Sequence, residues 1–409
     1  MRGNVIVGQS GGPTAVINSS LAGVYRTAKE LGFNKVYGML HGVRGLLDEK
    51  YVDLSEEIQF DLDVELLKRT PSAFLGSCRY KLPEVQAGDQ IFERIFSILE
   101  NLEIECFIYI GGNDSMDTIV KLSDYAALMG YKQKFIGVPK TIDNDLLITD
   151  HTPGYASAAK YIGATIKEII RDCLSLSYDR KNVTVVEIMG RNAGWLAAAA
   201  SLAKAEDCVG PDLIYFPENV FDVDDFLERV RKLLETKNSL VIAVSEGIKL
   251  KDGRYVCELF VNNDYLDPFG HKLLTGTAAY LANRVNQEFG CKARGVELSI
   301  LQRSASHLAS RIDINEAYTV GAAAVKAAAE NETGKMVIIK RLADDPYHSE
   351  TDLYDIHHIA NEEKKLPKDW MNEDGTYVTD KYLTYIRPLI QGDYFPFMVD
   401  GLPRHLFIH

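Results

Sequence analysis

The sequence has no run of about 18 apolar residues, which argues against a membrane span. The short apolar stretch after Met1-Arg2-Gly3-Asn4 is too brief for a secretory signal core, so export is not expected. Cysteine is sparse: six residues, at 78, 106, 173, 208, 257 and 291, with no CxxC pair. Reduced thiols of a cytoplasmic protein account for them better than a disulfide frame or a zinc site. Positive charge is in deficit, with 45 Lys and Arg against 58 Asp and Glu. The net charge of −13 argues against a general binder of nucleic acid or membrane surfaces. A phosphate ligand would therefore need Arg and Lys gathered locally against an acidic background. Internal repeats and low-complexity linkers are absent too. What is present is a globular composition, 46% hydrophobic and 25% charged, over 409 residues, long enough for two or three domains.

Short β-rich runs alternate with helical patterns. Residues 4–7 read as a strand, followed by a Gly-rich turn and a helix with Ile17, Leu21, Val24, Ala28 and Leu31 on one face. Ile91, Ile95, Ile98 and Leu102 repeat that spacing, as do Ala159, Ile162, Ile166 and Ile169. Further strands are expected at 107–110, 135–138, 183–188, 240–244 and 336–339. This alternation implies an α/β fold with mainly parallel sheets covered by helices, whose ligands lie beyond the carboxyl ends of strands. The more polar last 70 or so residues read as an irregular extension wrapped on the body.

Four glycine-containing loops follow these strands. Gly8–Thr14 lacks the Lys-Ser/Thr of a P-loop and lacks GxGxxG. It is either a tight turn or a place where backbone and helix N-terminus approach a phosphate. Gly111-Gly112-Asn113-Asp114-Ser115 is a ligand loop or a turn with an Asn or Asp helix cap. Pro139–Asp145 sets Lys140 beside two carboxylates, Asp143 and Asp145, a costly grouping without a counter-ion or a task. One carboxylate could act as general base on a hydroxyl while the other holds Mg²⁺ against a phosphate; a polar turn capped by Asp is the alternative. Met189–Trp195 carries Arg191, suited to a bidentate phosphoryl clamp or to a surface ion pair. Arg79, Arg294 and Arg303 pose the same choice. His151 could be a base or, more simply, a core histidine, and Ala322–Ala329 reads as a buried helix face.

Taken together and in order, Gly11-Gly12, Phe74–Arg79, Gly111–Ser115, Thr141–Asp145, Met189–Gly194, Glu246 and Gln302-Arg303 resemble the motifs of the phosphofructokinase family from residue 4 to about 330. The resemblance implies two Rossmann-like domains with the site in the cleft between them. Residues 1–150 and 290–335 would form the larger, donor-binding domain, 151–289 the smaller sugar-phosphate domain, and 336–409 a C-terminal extension. It implies that Asp143 is the base toward a sugar C1 hydroxyl, with Thr141 and Ile142 in the same region. Arg191 would stabilise the transferring phosphoryl group and Asp145 would help hold Mg²⁺. Met189, Gly190, Glu246 and Arg303 would bind fructose 6-phosphate, and Arg294 would reach in from a neighbouring subunit of a dimer or tetramer. Gly11, Gly12, Arg79, Gly111 and Gly112 would face the donor's phosphates.

Two positions bear on the donor. ATP-using members resemble GG-D-G-S and P-G-T-I-D-N-D, whereas Asp114 and Lys140 stand at the variable glycines here. Their side chains would crowd a nucleotide, Asp114 would repel an α-phosphate, and Lys140 would neutralise the phosphate leaving pyrophosphate. The resemblance is therefore to the pyrophosphate-dependent branch. The family's Mg²⁺-associated aspartate is Asn113 here, whose amide still offers the metal an oxygen but no charge, so that Asp145, water and pyrophosphate oxygens would hold most of it; a histidine of many ATP-using relatives is Ile300. Arg180, Lys181 or Arg387 would then supply sugar-phosphate contacts. The alternatives are an ATP-dependent kinase, or a non-catalytic sensor or regulatory subunit, which the intact Asp143, Asp145 and Arg191 argue against.

Overall fold

The computed structural model describes residues 2–260, 274–360 and 362–408. In chain order the strands used below are β1 (Asn4–Gln9), β2 (Val36–Met39), β3 (Tyr51–Asp53), β4 (Ile104–Gly111), β5 (Lys134–Pro139), β6 (Asn182–Ile188), β7 (Leu213–Tyr215), β8 (Ser239–Ser245), β9 (Lys292–Glu297), β10 (Lys335–Asp344) and β11 (Tyr347–Asp355). The chain forms two compact units. Unit 1 comprises Met1–Ser157, Arg303–Glu363 and Ile390–His409; unit 2 comprises Ala158–Gln302 and Lys364–Leu389.

Unit 1 is built on a seven-stranded sheet of order β11-β10-β5-β4-β1-β2-β3. Its interior pairings are parallel, and each rim is closed by an antiparallel strand. Because side chains alternate along a strand, the two faces differ. One gathers Val5, Val7, Ile108, Ile110, Ile136, Val138, Val337 and Ile339. The other gathers Ile6, Phe107, Tyr109, Phe135, Met336 and Ile338, with Phe92, Phe96 and Tyr125 stacked over it. Both faces are covered, as runs of consecutive apolar residues in β4 and β5 require.

Helix Ile17–Glu30, which follows β1, lies against helix Arg311–Ala329. A Cβ on Gly23 would strike the Tyr318 carbonyl, and one on Gly321 would strike the Ser20 carbonyl, so both glycines permit the close approach. The Ala-rich end of the second helix is core, as its small side chains suggested. Helix Gln90–Asn101 is capped by Asp89, whose Oδ1 accepts the Ile91 N–H at 2.9 Å.

Unit 2 holds a four-stranded parallel sheet of order β7-β8-β6-β9 over its own core of Val183, Val185, Leu240, Ile242, Val244, Phe226 and Leu281. The fold is thus the expected α/β class with mainly parallel sheets. The domain bounds fall differently. The first crossing comes after Ser157 rather than near 150, and the return comes at Arg303 rather than near 290, because β9 pairs with β6 inside the smaller sheet. Residues 336–409 are not one extension either. β10 and β11 complete the large sheet, Lys364–Leu389 belongs to unit 2, and Ile390–His409 returns to unit 1. There Arg69 lies 3.9 Å from the Tyr394 ring centroid and pins the terminal segment. No helix among the described residues is long and apolar enough to cross a membrane.

Candidate active site

In unit 1 the strand pairing sets three loops side by side. Gln9 of β1 is level with Ile110 of β4, and Gly111 of β4 is level with Pro139 of β5. The loops at 10–14, 111–115 and 140–145 therefore leave neighbouring carboxyl ends, where parallel sheets bind ligands. Backbone bonds tie them together: Lys140 N–H donates to the Gly111 carbonyl at 3.0 Å, and Gly11 N–H to the Cys78 carbonyl at 3.2 Å. Gly11 has φ of 76°, a left-handed conformation that glycine tolerates best. A Cβ on Gly111 would overlap Ser115 Oγ.

Lys140 is only 2% exposed, and its Nζ donates to the Gly12 carbonyl at 2.7 Å. A Cβ on Gly12 would lie 3.1 Å from Arg303 Nη1, and one on Gly11 would lie 3.3 Å from Lys140 Nζ. Burial holds the Lys140 ammonium down at about 8; Asp143 and Asp145 oppose that shift, and the charges of Arg303 and Arg79 add to it. One lysine and two arginines thus surround a pair of bare glycines, the local positive charge that the acidic composition called for. Arg303 stands beside the Gly12 end of this turn.

The carboxylates stand just beyond. Asn144, fully buried at φ 54°, separates Asp143 from Asp145, and its Oδ1 accepts the Thr152 N–H at 3.1 Å. Thr141 Oγ1 accepts the Asp143 N–H at 3.1 Å, and Thr152 Oγ1 donates to the Thr141 carbonyl at 2.8 Å. The loop is therefore closed on itself, which favours a fixed carboxylate pair over a solvated turn. Burial, then the Asp143 charge, pushes the Asp145 carboxyl up to about 7. Asp145 Oδ1 is buried with no hydrogen-bond partner among the described residues. An orphaned carboxylate oxygen beside a second carboxylate fits a cation. Among the described residues no group of three or more His, Cys, Asp or Glu is placed to hold a metal alone. That suits Mg²⁺, which takes one or two carboxylates and completes its shell with water and substrate phosphates. The helix at 113–129 begins after Gly112, which has no side chain to cap it, and carries Asn113 and Asp114 in its first turn. Asp114 is exposed in its first turn.

His151 is a core residue. It is fully buried, with Nδ1 2.8 Å from Asp150 Oδ2 and Nε2 2.6 Å from Glu316 Oε2. Burial opposes its charge, but Glu316 and Asp150 together raise it to about 9. Arg341, Tyr347 and Ser349 complete this network, whose members lie far apart in sequence and were not found there.

In unit 2 Ile188 of β6 is level with Ser245 of β8, so the loops carrying Met189-Gly190-Arg191 and Glu246 are neighbours. Glu246 N–H donates to the Ile188 carbonyl at 2.8 Å, and Ser245 Oγ donates to the Gly190 carbonyl at 2.6 Å. Met189 N–H donates to Gln302 Oε1 at 3.3 Å. Gly190 has φ of 120°, and a Cβ on Gly247 would strike the Arg191 carbonyl. Ser245 and Gly247 thus shape this loop and went unread; their place at a strand end beside Glu246 was the available signal. Arg387 ends helix Asp380–Ile386 of this same unit and is exposed. The Tyr382 hydroxyl of that helix donates to the Trp195 carbonyl at 3.0 Å. Ile300 is 58% exposed, and Arg294 sits on the edge strand β9, lining a surface cavity of about 290 Å³ with Glu168, Asp172 and Thr184.

The family model for phosphofructokinase matches residues 4–328. The chain belongs to the phosphofructokinase family. It is 40% identical to the pyrophosphate–fructose 6-phosphate 1-phosphotransferase of Halomonas elongata, over 98% of this chain and 95% of that one. It is also 40% identical to the enzyme of the same name from Xanthomonas campestris, over 99% and 96%. The crystal structure of a pyrophosphate-dependent phosphofructokinase from Nitrosospira multiformis superposes with a TM-score of 0.89 at 36% identity, covering 99% of this chain and 96% of that one.

Proposed function

We infer that this phosphofructokinase-family chain transfers a phosphoryl group reversibly from pyrophosphate to the C1 hydroxyl of fructose 6-phosphate, giving fructose 1,6-bisphosphate and phosphate. The observation that carries this reading is Lys140. Its buried ammonium stands at the Gly11–Gly12 turn beside Arg303, where a nucleotide-using site needs the room left by glycine. A bare diphosphate fills such a cluster with charge on both phosphates and brings no nucleoside to accommodate.

Phosphoryl transfer needs positioning and charge stabilisation more than covalent help. Asp143 takes the proton of the attacking hydroxyl, held in place by the Thr141 hydroxyl and the closed loop around Asn144. Lys140, Arg303 and Arg79 neutralise the departing phosphate, and Arg191 meets charge on the group in transfer. Asp145, with Asp143 near, would hold Mg²⁺, which when bound neutralises phosphate oxygens. Met189, Gly190 and Glu246 receive the sugar phosphate. Arg387 adds positive charge to it, a role that an unchanged fructose 6-phosphate KM in Arg387→Ala would remove. The position of Arg294 on an edge strand supports its reaching a neighbouring copy in a homo-oligomer, which sedimentation would reveal as a species larger than one chain. The six free thiols support a cytoplasmic setting.

The deciding experiment offers purified protein fructose 6-phosphate and Mg²⁺ with either pyrophosphate or ATP. Turnover with pyrophosphate and little with ATP is expected. Ready turnover with ATP and none with pyrophosphate would overturn the reading.

A further inference from the structure

Helix Arg311–Ala329 turns two buried carboxylates, Asp313 and Glu316, toward the chain that follows the base loop. They stand one turn apart on the same face of the helix. Asp313 is fully buried; its Oδ1 accepts the Gly154 N–H at 2.8 Å and its Oδ2 the Ser157 N–H at 2.9 Å. Glu316 Oε2 lies 2.6 Å from His151 Nε2, and its Oε1 accepts the Tyr347 and Ser349 hydroxyls at 2.5 and 2.6 Å. A strand holds the same span elsewhere. Asp150 N–H donates to the Ile339 carbonyl of β10 at 2.9 Å. Thr149 Oγ1 accepts the Ile339 N–H and donates to the His151 carbonyl, each at 2.9 Å. Residues 149–157 are thus gripped by a helix and a strand of unit 1. The base loop hangs from the middle of that span. Fully buried Thr152 gives its N–H to Asn144 Oδ1 and its hydroxyl to the Thr141 carbonyl. Thr141 N–H donates to the Pro153 carbonyl at 3.3 Å, and Thr141 Oγ1 accepts the Asp143 N–H.

We propose that His151, Glu316 and Asp313 are positioning residues for the base: they fix residues 151–154, and Thr152 passes that fixed geometry to the loop of Asp143. They act through Thr152 rather than on substrate. The inference rests on Asp143 as the base of the reaction given above and adds what holds it there. The ion pair matters because it is buried. A His151 without its charge leaves Glu316 and Asp150 as uncompensated carboxylates in the core, which must part or take up water. The charged and titratable groups around His151 are Asp150 on its own loop, Asp313 and Glu316 from the helix, Arg341 from β10 and Tyr347 from β11. Against burial, His151 holds both the Asp150 and the Glu316 carboxyl low. Burial pushes the Asp313 carboxyl and the Tyr347 hydroxyl up. His151, raised to about 9, is the cation that gives up its charge as pH climbs through that value.

The test compares the full-length wild type with His151→Gln, Glu316→Gln, Asp313→Asn and the His151–Glu316 pair of changes combined. At pH 7 each single variant is expected to lower kcat about 10- to 10²-fold, the toll of a displacement of up to about 1 Å. KM for pyrophosphate and for fructose 6-phosphate should stay near wild type. The combined variant should lose no more than His151→Gln alone, because both changes break the same pair. Wild-type kcat at saturating substrates should fall as pH rises through about 9, and His151→Gln should lack that limb; any limb due to Lys140 remains in both. Hydrogen exchange gives a readout that needs no turnover. Amides of residues 141–154 should exchange faster in the variants, while those of β4 keep wild-type protection. Glu316→Gln reads the same effects if His151→Gln folds poorly. A kcat and an alkaline limb left unchanged by breaking the pair overturn the proposal. So does exchange that quickens over β4 and 141–154 alike, which would mark these residues as core packing only. Lack of any pyrophosphate turnover by the wild type would instead strike the proposed function, and the exchange comparison would still decide this inference.

Discussion

In unit 1 a lysine and two arginines gather at a Gly-Gly turn, with two aspartates beyond them and a buried imidazolium network at the far end of the same loop. In unit 2 the loop carrying Arg191 is fixed by a serine hydroxyl, a glutamine amide and the bare α-carbon of Gly247. The first set of loops is held and tuned by charge, the second by shape. Charge-held geometry should respond to pH and to the donor, while shape-held geometry should respond to an added methyl group and little to either.

The largest effect is expected at the base. Asp143→Asn should lower kcat about 10²- to 10⁴-fold. The pyrophosphate KM should stay near wild type, because the cation cluster is intact; steady-state kinetics separates the two. Lys140→Met keeps the volume and removes the charge. It should lower kcat/KM for pyrophosphate about 10²- to 10³-fold, as loss of a charge-stabilising donor does. The melting temperature should not fall, since burial of that ammonium opposes folding. A large drop in melting temperature would mean that the Lys140 to Gly12 bond is structural instead. In unit 2, Gly247→Ala pushes on the Arg191 carbonyl and should cost about 10²-fold in kcat, the usual toll of a displacement near 1 Å. Calorimetric binding of pyrophosphate should be unchanged, and a weakened value would break the contrast between the units.

The smallest effect concerns stability. The His151 imidazolium is raised from 6.5 to about 9 by Glu316 and Asp150. Its support for folding is complete below the ordinary value and is lost as pH rises through about 9. Asp150 and Glu316, both held below their ordinary values, stay ionised across that window. Urea unfolding should show a loss of roughly 3 kcal/mol between the two pH limits. His151→Gln should flatten that dependence, and a persistent slope in the variant would place its origin elsewhere.

Much of the site was legible because its residues are local: each loop follows a strand, and each strand is a short apolar run. The strands expected at 107–110, 135–138, 183–188 and 240–244 all fall inside observed ones. Tyr51–Asp53, Lys292–Glu297 and Tyr347–Asp355 were not readable, because they are polar or short and lie at sheet edges, where one side needs no apolar residues. The tail was misread for that reason. The His151 network was illegible because its partners, Glu316 and Arg341, are 165 and 190 residues away. The bond from Asn113 Nδ2 to the Glu362 main-chain carbonyl, at 2.6 Å, was illegible for the same reason, since nothing nearby in sequence names that partner.

The rims of the large sheet carry a further consequence. An open row of backbone donors and acceptors invites a foreign chain to add itself, the first step of aggregation. One rim, β3, is only three residues long and offers little to copy. The other, β11, is longer but studded with Glu350, Asp352 and Asp355, and Lys340 of β10 pairs with Asp352. A strand of ordinary acidic sequence approaching that edge would meet like charge along its length. The large sheet therefore offers a foreign strand one rim too short to copy and another that is charged along its length.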